Sequence, residues 1–264
     1  MASDSLHVSF DNGFGSISNT WNVDASAPGE VRLGGSSAMM EWATGRDAGH
    51  GYGTYTVEAK LEGNQPGAAI VLWPGNNQWP GQEIDMAEIT PDGSGRIYGT
   101  MHWNENGHDA YDATIFDGVY SGSFHTYQMI WEPGRITYKV DGQQKGGFTD
   151  NVPTDFAHGG MNNTIGFLNN NPHTSITVRE VSFDPLGGGG SAPEPRPAPE
   201  PPVDPISPQA EVVVAVRPQE PEAAAAVDSS DPFAPWTDAS GHIDWDAVAA
   251  HVTANYEATG FWYI

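Results

Sequence analysis

Three acidic residues lie close together in a short apolar stretch of the sequence. Residues 83–88 contain Glu83, Asp85 and Glu88 and otherwise have the composition of a β-strand. Side chains of a strand alternate between its two faces, so Glu83 and Asp85 share a face that Glu88 would leave. A β-bulge at Met86-Ala87 would add one residue and return Glu88 to that face. We therefore predict a row of three carboxyl groups on one surface.

Carboxyl groups this close together suit acid–base and nucleophilic chemistry. Like charges disfavour ionisation of their neighbours, so at least one group should keep its proton near neutral pH. Retaining glycoside hydrolysis needs such a pair, with an ionised nucleophile and a protonated general acid roughly 5–5.5 Å apart. Taken alone, the motif is better explained as an acidic, solvated strand or a calcium-binding edge, and the surrounding sequence is what favours the catalytic interpretation.

Composition excludes several classes of protein. The chain has 264 residues, with Lys+Arg 10 against Asp+Glu 34, a formal net charge of -24 and no cysteine. This charge repels polyanions, so no nucleic-acid partner is expected. Disulfides and thiolate chemistry are excluded. No segment approaches the roughly 20 apolar residues of a membrane span, so we expect no membrane partner.

Residues 1–185 have the pattern of an all-β sandwich. Short alternating apolar runs are separated by turn signals at intervals of roughly 8–12 residues. Asp11-Asn12-Gly13, Pro133-Gly134 and Asp141-Gly142 are strong turn signals. The runs are Leu6 to Phe10, Glu30 to Leu33, Tyr52 to Leu61, Ala68 to Leu72, Ile97 to Trp103, Thr126 to Trp131, Ile136 to Val140 and Ile176 to Phe183. We expect no helix of useful length before residue 240.

The composition changes at residue 187, and the chain is expected to divide there. Residues 1–186 form the sandwich domain in this division. Residues 187–230, with four glycines followed by proline alternating with charge, predict a Gly/Pro-rich flexible linker. Residues 231–264 carry apolar residues at helical spacing and predict a small helical C-terminal segment. Such a short segment rarely folds alone, so we expect it to dock on the sandwich, bind a partner or serve as an export signal.

The strands and the acidic motif together resemble glycoside hydrolase family 16, the laminarinase, lichenase and agarase group. Residues 83–88 look like the family's E-x-D-x-x-E motif, in the form that contains a β-bulge. Residues 51–60 are similar to the family's Y-G-x-[FY]-E-x-[RK] strand, with Glu58 slightly later. Residues 69–74 resemble the next strand, and residues 131–142 the late W-x-P-x-x-I-x-[WY]-x-V-D-G hairpin.

The resemblance implies a β-jelly-roll of two curved antiparallel sheets, with a concave cleft for a polysaccharide chain. It implies Glu83 as the nucleophile and Glu88 as the acid/base, with Asp85 between them. The residue chemistry agrees, because Asp85 can hydrogen-bond Glu83 and help to keep Glu88 protonated. His102 resembles the family's cleft histidine, although a lone histidine on a strand is equally well explained as structural.

Aromatic residues near the motif are candidate walls of sugar-binding subsites, because sugar rings stack their C–H faces on aromatic rings. The candidates are Trp73, Trp79 and Trp103, and each of them could instead belong to the core. Trp79 is the strongest, since it directly precedes the acidic strand. By default, the core or a sheet edge is assigned to Trp21, Trp42 and Trp131.

The leading hypothesis is an endo-acting, retaining glycoside hydrolase. Its substrate would be a β-1,3- or β-1,4-linked glucan or a bacterial exopolysaccharide, cleaved through a covalent glycosyl-enzyme. One alternative is a non-catalytic carbohydrate-binding jelly roll, against which the presence of all three acids argues. Another is a transglycosylase that uses the same residues, which the sequence leaves open.

The remaining expectations concern cofactors, assembly and location. No cofactor is expected to be required, but the family frequently holds a structural calcium ion, whose ligands the sequence does not locate. We expect a monomer whose partner is its polysaccharide substrate. The linker and tail resemble appendages of secreted bacterial glycanases, so we expect secretion. Met1 to Phe10 do not have the pattern of a signal peptide, so export would use another signal or a removed one.

Overall fold

A computed structural model describes residues 5–41 and 48–187 of the chain. These residues form fourteen strands and one short 3-10 helix, Phe156–His158. The strands are β1 (Leu6–Val8), β2 (Asn19–Trp21), β3 (Val31–Gly34), β4 (Ser37–Met40), β5 (Gly53–Glu62), β6 (Ala68–Pro74), β7 (Ile84–Ile89), β8 (Ile97–Glu105), β9 (His108–Ile115), β10 (Phe124–Glu132), β11 (Arg135–Val140), β12 (Gln143–Phe148), β13 (Asn163–Asn169) and β14 (Ser175–Pro185). The all-β class is confirmed. The predicted linker from residue 188 onward and the predicted helical tail lie outside the described residues.

The strands form two antiparallel sheets that pack face to face. One sheet, which we call the site sheet, has the order β2-β4-β13-β6-β7-β8-β9. The other, the back sheet, has the order β1-β14-β5-β10-β11-β12, with β3 also paired to β14. Strand β7, near the centre of the site sheet, is therefore hydrogen-bonded to a neighbouring strand on each side. The predicted sandwich of two antiparallel sheets is confirmed.

The core lies between the inner faces of the two sheets. Strand β5 alternates buried and half-buried residues along its whole length, as expected for a strand with one face in the core. Ile70 and Ile84 of the site sheet and Val57 and Met129 of the back sheet are fully or almost fully buried. The apolar alternation that predicts these strands therefore also identifies the core-facing side chains.

Tight turns fix the register of the back-sheet hairpins. Strands β11 and β12 are joined by Asp141 and Gly142, whose φ angles are 50° and 75°. Positive φ at both central residues is the geometry of a type I′ hairpin turn, which Asp-Gly favours. The predicted hairpin over residues 131–142 is confirmed, since β10 and β11 pair from Glu132 opposite Arg135 onward.

Two tryptophans take the places assigned to them by default, and the third, Trp42, lies outside the described residues. Trp131 is fully buried, and its indole N–H donates to the carbonyl oxygen of Pro153 at 3.1 Å. Trp21 lies on β2, an edge strand of the site sheet, with 44% of its surface exposed. Among the described residues, no helix has the length and hydropathy needed to cross a membrane.

Candidate active site

The strand that carries the acidic residues contains the predicted bulge. Asp85 and Glu88 are three positions apart on β7, whereas their partners on β8, Thr100 and Tyr98, are only two positions apart. The pairing of β7 with β6 shifts at the same place. The extra residue lies in the buried pair Met86-Ala87, as predicted. The bulge brings Glu88 to the face that carries Asp85.

A side chain of the back sheet packs against the core-facing side of the strand that pairs with the bulge. Gly99, which lies between the two β8 partners, has no room for a side chain, because an added Cβ would come within 2.7 Å of the Tyr138 ring. Tyr138 of β11 is buried, and its hydroxyl donates to the carbonyl oxygen of Thr100 at 3.2 Å. The aromatic ring therefore packs directly behind the strands that present the carboxyl groups.

The acidic residues line a cleft of about 570 Å³ on the outer face of the site sheet. Glu83, Asp85 and Glu88 all contribute to it. The other lining residues are Pro66, Ala69, Val71, Trp79, Thr90, Pro91, Asp92, Tyr98, Thr100, His102, Asp109, Tyr111, Ala113, Ile115 and Leu168. The structure thus brings the three predicted acids together in one concave site.

Hydrogen bonds to two successive carbonyl oxygens fix the backbone at Glu83. Its carbonyl oxygen accepts a hydrogen bond from the His102 backbone N–H at 2.9 Å. The preceding carbonyl, that of Gln82, accepts a hydrogen bond from the side-chain amide of Asn163. Asn163 is fully buried and also donates to the carbonyl oxygen of Leu72 at 3.0 Å. Asn163 therefore ties the start of the acidic segment to β6.

The environment of Glu88 favours its protonated form. Burial, followed by the charge of Asp85, raises the pKa of Glu88 to about 8. The Thr100 hydroxyl donates to Glu88 Oε1 at 3.3 Å, which opposes part of this increase. A carboxyl group with this pKa keeps its proton at neutral pH and can act as a general acid.

Glu83 and Glu88 titrate as interacting groups. Burial, followed by the charges of Asp85 and Glu88, raises the pKa of Glu83, and His102 acts in the opposite direction. The ionisation of one carboxyl group therefore depends on the state of the others. The row as a whole holds fewer negative charges than it has carboxyl groups.

His102 lies between two carboxylates. Its Nδ1 is 3.0 Å from Asp109 Oδ1, and its Nε2 is 3.5 Å from Asp85 Oδ2. Burial by itself lowers the pKa of His102, but the hydrogen bonds to Asp109 and Asp85 and the nearby charges raise it to about 11. His102 is therefore a cation at neutral pH, in contact with the acidic row.

Glu83, Asp85 and His102 have ligand atoms within 4.8 Å of one another. Within residues 5–41 and 48–187 this is the group of side chains with the composition and spacing to hold a metal ion. The ion pair between His102 and Asp85 already neutralises part of the negative charge that would attract a cation. This arrangement of charges is also one that suits acid–base chemistry. The structural calcium ion stays a prediction without assigned ligands.

Comparison with known proteins identifies the family. The family model described as glycosyl hydrolases family 16 matches residues 35–175, which is more than half of the chain. The chain belongs to glycoside hydrolase family 16. It is similar to the β-glucanase of Paenibacillus macerans, with 30% identity over 156 residues that cover 55% of this chain and 64% of the relative. The chain thus spans less than two thirds of the length of this curated relative.

Solved structures of family 16 share the fold. The β-glucanase of Bacillus licheniformis superposes with a TM-score of 0.52 and 18% identity, over 69% of this chain and 99% of the other. The Crh5 transglycosylase in complex with NAG gives a TM-score of 0.50 and 16% identity, over 71% and 86%. At these identities the likeness concerns the fold alone, and it confirms the predicted β-jelly-roll.

One of the predicted aromatic residues, Trp79, lines the cleft, and a second, Trp73, stacks on it. Trp79 lines the cleft, and its ring stacks on that of Trp73 with centroids 5.6 Å apart and planes 13° apart. Trp73 is held in turn by a hydrogen bond from its indole N–H to Asn77 Oδ1 at 2.7 Å. The Trp79 ring is also 5.3 Å from the His102 ring. Trp79 is thus placed as a platform beside the acidic row, with Trp73 behind it.

The interpretation of Trp103 as a wall of the cleft is corrected by the structure. Trp103 packs against the hydrophobic core instead. It directly follows His102, which lines the cleft, and adjacent residues of a strand face opposite sides. The two residues could not both face the sugar chain.

Sequence reasoning missed several cleft residues on the edge strand β9. Asp109, Tyr111 and Ile115 line the cleft, and the last two are 47% and 51% exposed. The turn Asn106-Gly107 was the signal that could have found them. Its φ angles of 57° and 86° match a two-residue hairpin loop, which places Tyr111 opposite His102.

Residues 162–171, which include β13 and are rich in asparagine, have a structural role. Asn169, like Asn163, is buried, and its side-chain amide donates to the carbonyl oxygens of Gly35 and Thr174 at 2.8 and 3.0 Å. These bonds hold β13 and its following turn in place. Leu168 is the residue of this segment that reaches the cleft.

Proposed function

We propose that this protein is an endo-acting, retaining glycoside hydrolase that cleaves β-1,3- or β-1,4-linked glucans. The observation that carries the proposal is the bulge in β7, which brings Glu88 to the face of Asp85, so that both line one cleft with Glu83, the residue just before the strand. The similarity to a protein named β-glucanase supports the choice of substrate class.

In the first step, Glu83 acts as the nucleophile and Glu88 as the general acid. The ionised carboxylate of Glu83 attacks the anomeric carbon, and the glycosidic C–O bond breaks. Glu88 gives its proton to the leaving oxygen, so the leaving chain departs as a neutral alcohol. The products are a glycosyl ester on Glu83 and an ionised Glu88.

In the second step, Glu88 acts as the general base. Its carboxylate takes a proton from water while the water oxygen attacks the anomeric carbon of the ester. Glu83 leaves as a carboxylate, and Glu88 is protonated again for the next cycle. Two displacements at the same carbon give net retention of the β-configuration.

Asp85 and His102 shift the pKa values of the two glutamates during this cycle. The Asp85 carboxylate lies between the two glutamates and raises the pKa of Glu88, which favours the acid form before cleavage. The His102 cation, 3.5 Å from Asp85 Oδ2, offsets negative charge close to Glu83. Asp85 raises the pKa of both glutamates and His102 lowers the pKa of both, so the proposed division of roles rests on the place of His102 beside Glu83.

The extent of the cleft supports cleavage within a chain. The residues that line it include Ile115 of β9 on one side of β7 and Leu168 of β13 on the other. A glucan that crosses the strands therefore has sugar units on both sides of the acidic row. The net charge of -24 favours a neutral glycan over a sulfated one.

The deciding experiment measures reducing-end release from a panel of soluble (1,3-1,4)-β-glucan, laminarin and a sulfated galactan. We expect mixed short products early in the reaction from at least one neutral glucan, with none from the sulfated polymer. Proton NMR of the first products should show the β-anomer. Binding without release would favour a carbohydrate-binding protein, and products longer than the starting oligosaccharide would favour a transglycosylase.

A further inference from the structure

Paired residues form a continuous row across the site sheet, from Glu88 to the far edge. Glu88 pairs with Ala69, and Ala69 with Leu168. Leu168 pairs with Ala38, and Ala38 with Trp21. Directly opposed residues of antiparallel strands point to the same face of a sheet. The side chains of this row therefore all lie on the face that carries the cleft.

The core confirms which face this is. The residues next to the row in sequence, Met39, Ile70 and Phe167, are buried between the sheets. Leu168, which alternates with Phe167, already lines the cleft. The outer face of β4 and β2 is thus a direct extension of the cleft floor.

The surface between the cleft and Trp21 is low and apolar. Ala69 and Ala38 contribute only methyl groups to the row. In the neighbouring row, the Met40 side chain lies over Gly166, where an added Cβ would come within 2.9 Å of Met40 Cε. In the described row, only the methyl group of Ala38 lies between Leu168 and Trp21, which leaves room for a sugar chain that leaves the cleft over β13.

Trp21 ends this strip with a large exposed ring. Its surface is 44% exposed, which is more than that of any other tryptophan among the described residues. The strand end is fixed, because the side-chain amide of Asn22 donates to the carbonyl oxygen of Ser36 at 2.7 Å. An indole with a fixed base, an apolar face and one polar N–H suits stacking against a sugar.

The distance from the acidic row is long enough for several sugars. Trp21 on β2 is four strand positions from Glu88 on β7, which corresponds to about 19 Å at the usual spacing between strands. Trp21 therefore cannot touch the scissile bond or the sugars next to it. Only a polymeric or long oligomeric glucan reaches both places at once.

We propose that Trp21 is a remote subsite for the glucan chain, where its indole stacks on a sugar several units from the cleavage point. The inference rests on the proposed function, since it assigns the same chain to the cleft. A single exposed tryptophan is common on protein surfaces, and the edge strand β2 could instead pair with a second copy of the chain. The unbroken row from Glu88 is what favours the sugar chain as the occupant.

The test compares a long and a short substrate. In the full chain, Trp21→Ala should raise KM for soluble (1,3-1,4)-β-glucan on the order of tenfold and leave kcat unchanged, because one aromatic contact is lost. The value of kcat/KM for a short aryl β-glycoside should stay at the wild-type level. Trp21→Phe should keep most of the affinity. Thr20→Ala, next to Trp21 on the opposite face of β2, is the matched control and should change neither value.

Several outcomes would overturn the inference. An unchanged KM for the polymer would do so, as would an equal loss on both substrates. A dimer in gel filtration that Trp21→Ala converts to monomers, with unaltered kinetics, would assign the ring to contact between copies. If the wild-type protein releases no reducing ends, the proposed function fails, and retardation in gels containing the same glucan decides. Stronger retardation of wild type than of Trp21→Ala supports the subsite, and equal mobility rejects it.

Discussion

Glu83 and Glu88 occupy one cleft, yet the proposed reaction requires opposite protonation states for them. Burial raises the pKa of both. Their surroundings differ in the position of His102, which lies with Asp85 and Glu83 in a group whose side-chain atoms are within 4.8 Å of one another. The charge of His102 lowers the pKa of both glutamates, and its place beside Glu83 supports Glu83 as the group that ionises in the proposed reaction.

Replacement of either glutamate separates the two steps of the reaction. Glu83→Ala should abolish hydrolysis, because no carboxylate remains to form the glycosyl-enzyme. Glu88→Ala should lower turnover of natural glucans by about 10²–10⁴-fold, since their leaving group needs a proton. It should spare the first step for an activated aryl β-glycoside, whose leaving group departs without a proton.

Azide rescue of these variants reports the role of each residue. Azide in Glu83→Ala attacks the β-glycoside directly and should give the α-azide. Azide in Glu88→Ala attacks the glycosyl-enzyme and should give the β-azide. Product configuration is read by proton NMR. The same configuration from both variants, or normal activity in either, would contradict the assignment.

The pKa of Glu88 sets an upper limit in pH for cleavage. A general acid works in its protonated form, so a pKa of about 8 predicts that kcat/KM for a glucan falls as pH rises through about 8. The Thr100 hydroxyl lowers this pKa, so Thr100→Val should move the alkaline limb of the pH–rate profile to higher pH. Thr177→Val, at a buried threonine of the back sheet, is the control. An alkaline limb that Thr100→Val leaves in place would assign it to another group.

Asp109 is a positioning residue that acts through His102. Asp109→Asn removes the carboxylate 3.0 Å from His102 Nδ1, so the pKa of His102 should fall and its cation should be lost at a lower pH. We expect kcat to drop on the order of tenfold with little change in KM. NMR titration of His102 provides a readout that a purely structural effect would not move. Asp112→Asn, on the opposite face of β9, should alter neither value.

At the scale of the strand, the bulge predicts an asymmetric response to deletions. Removal of Ala87 leaves Glu83, Asp85 and Glu88 at alternate positions of a regular strand, on one face. This variant should keep activity within about 10²-fold of wild type, the usual cost of a misplacement of about 1 Å. Removal of Ile84 puts Glu83 and Asp85 on opposite faces and should abolish activity. Thermal unfolding checks that both proteins fold; equal activity of the two variants would argue against the bulge as the organising feature.

The sequence predicted the strands with apolar alternation and missed the polar ones. All eight apolar runs coincide with strands, and the acidic segment with β7. Strands β2, β9 and β12 were not predicted, because their side chains are largely exposed and show no apolar alternation. Strand β4 was also not predicted, although its residues alternate between buried and half-buried. Strand β13 was not recognised because its buried residues include amides such as Asn163.

The candidate site was predictable where one segment determines it. The three acids and the bulge follow from the spacing in residues 83–88 alone. Asp109 requires the register of the β8–β9 hairpin, which the turn Asn106-Gly107 would have supplied. The bond from Asn163 to Gln82 joins residues 81 positions apart in sequence, and no local pattern reveals it.

At the scale of the whole molecule, the sandwich closes within the described residues. Strand β14 ends at Pro185, and the Leu186 backbone N–H donates to the carbonyl oxygen of Tyr52 at 2.9 Å. The cleft lies on the site sheet, and its lining residues precede residue 169. Among the described residues, the lining of the cleft therefore comes entirely from the part of the chain before residue 169.

Truncation after residue 187 tests the predicted division of the chain. This shortened protein should fold, with an unfolding temperature close to that of the full chain, and should keep its activity on soluble glucan. Truncation after residue 180 removes part of β14, the strand with the longest pairing to β5, and should prevent folding. Loss of solubility or activity in the first truncation would show that the tail packs on the sandwich.

The β-bulge in β7 also has an evolutionary consequence. A regular strand and a bulged strand differ here by one codon, and both place three acids on the same side of the sheet. A lineage could therefore gain or lose that codon without passing through an inactive ancestor. In an alignment of descendants, a gap at Met86 or Ala87 would then be compatible with activity, whereas a gap at Ile84 would mark a lost enzyme.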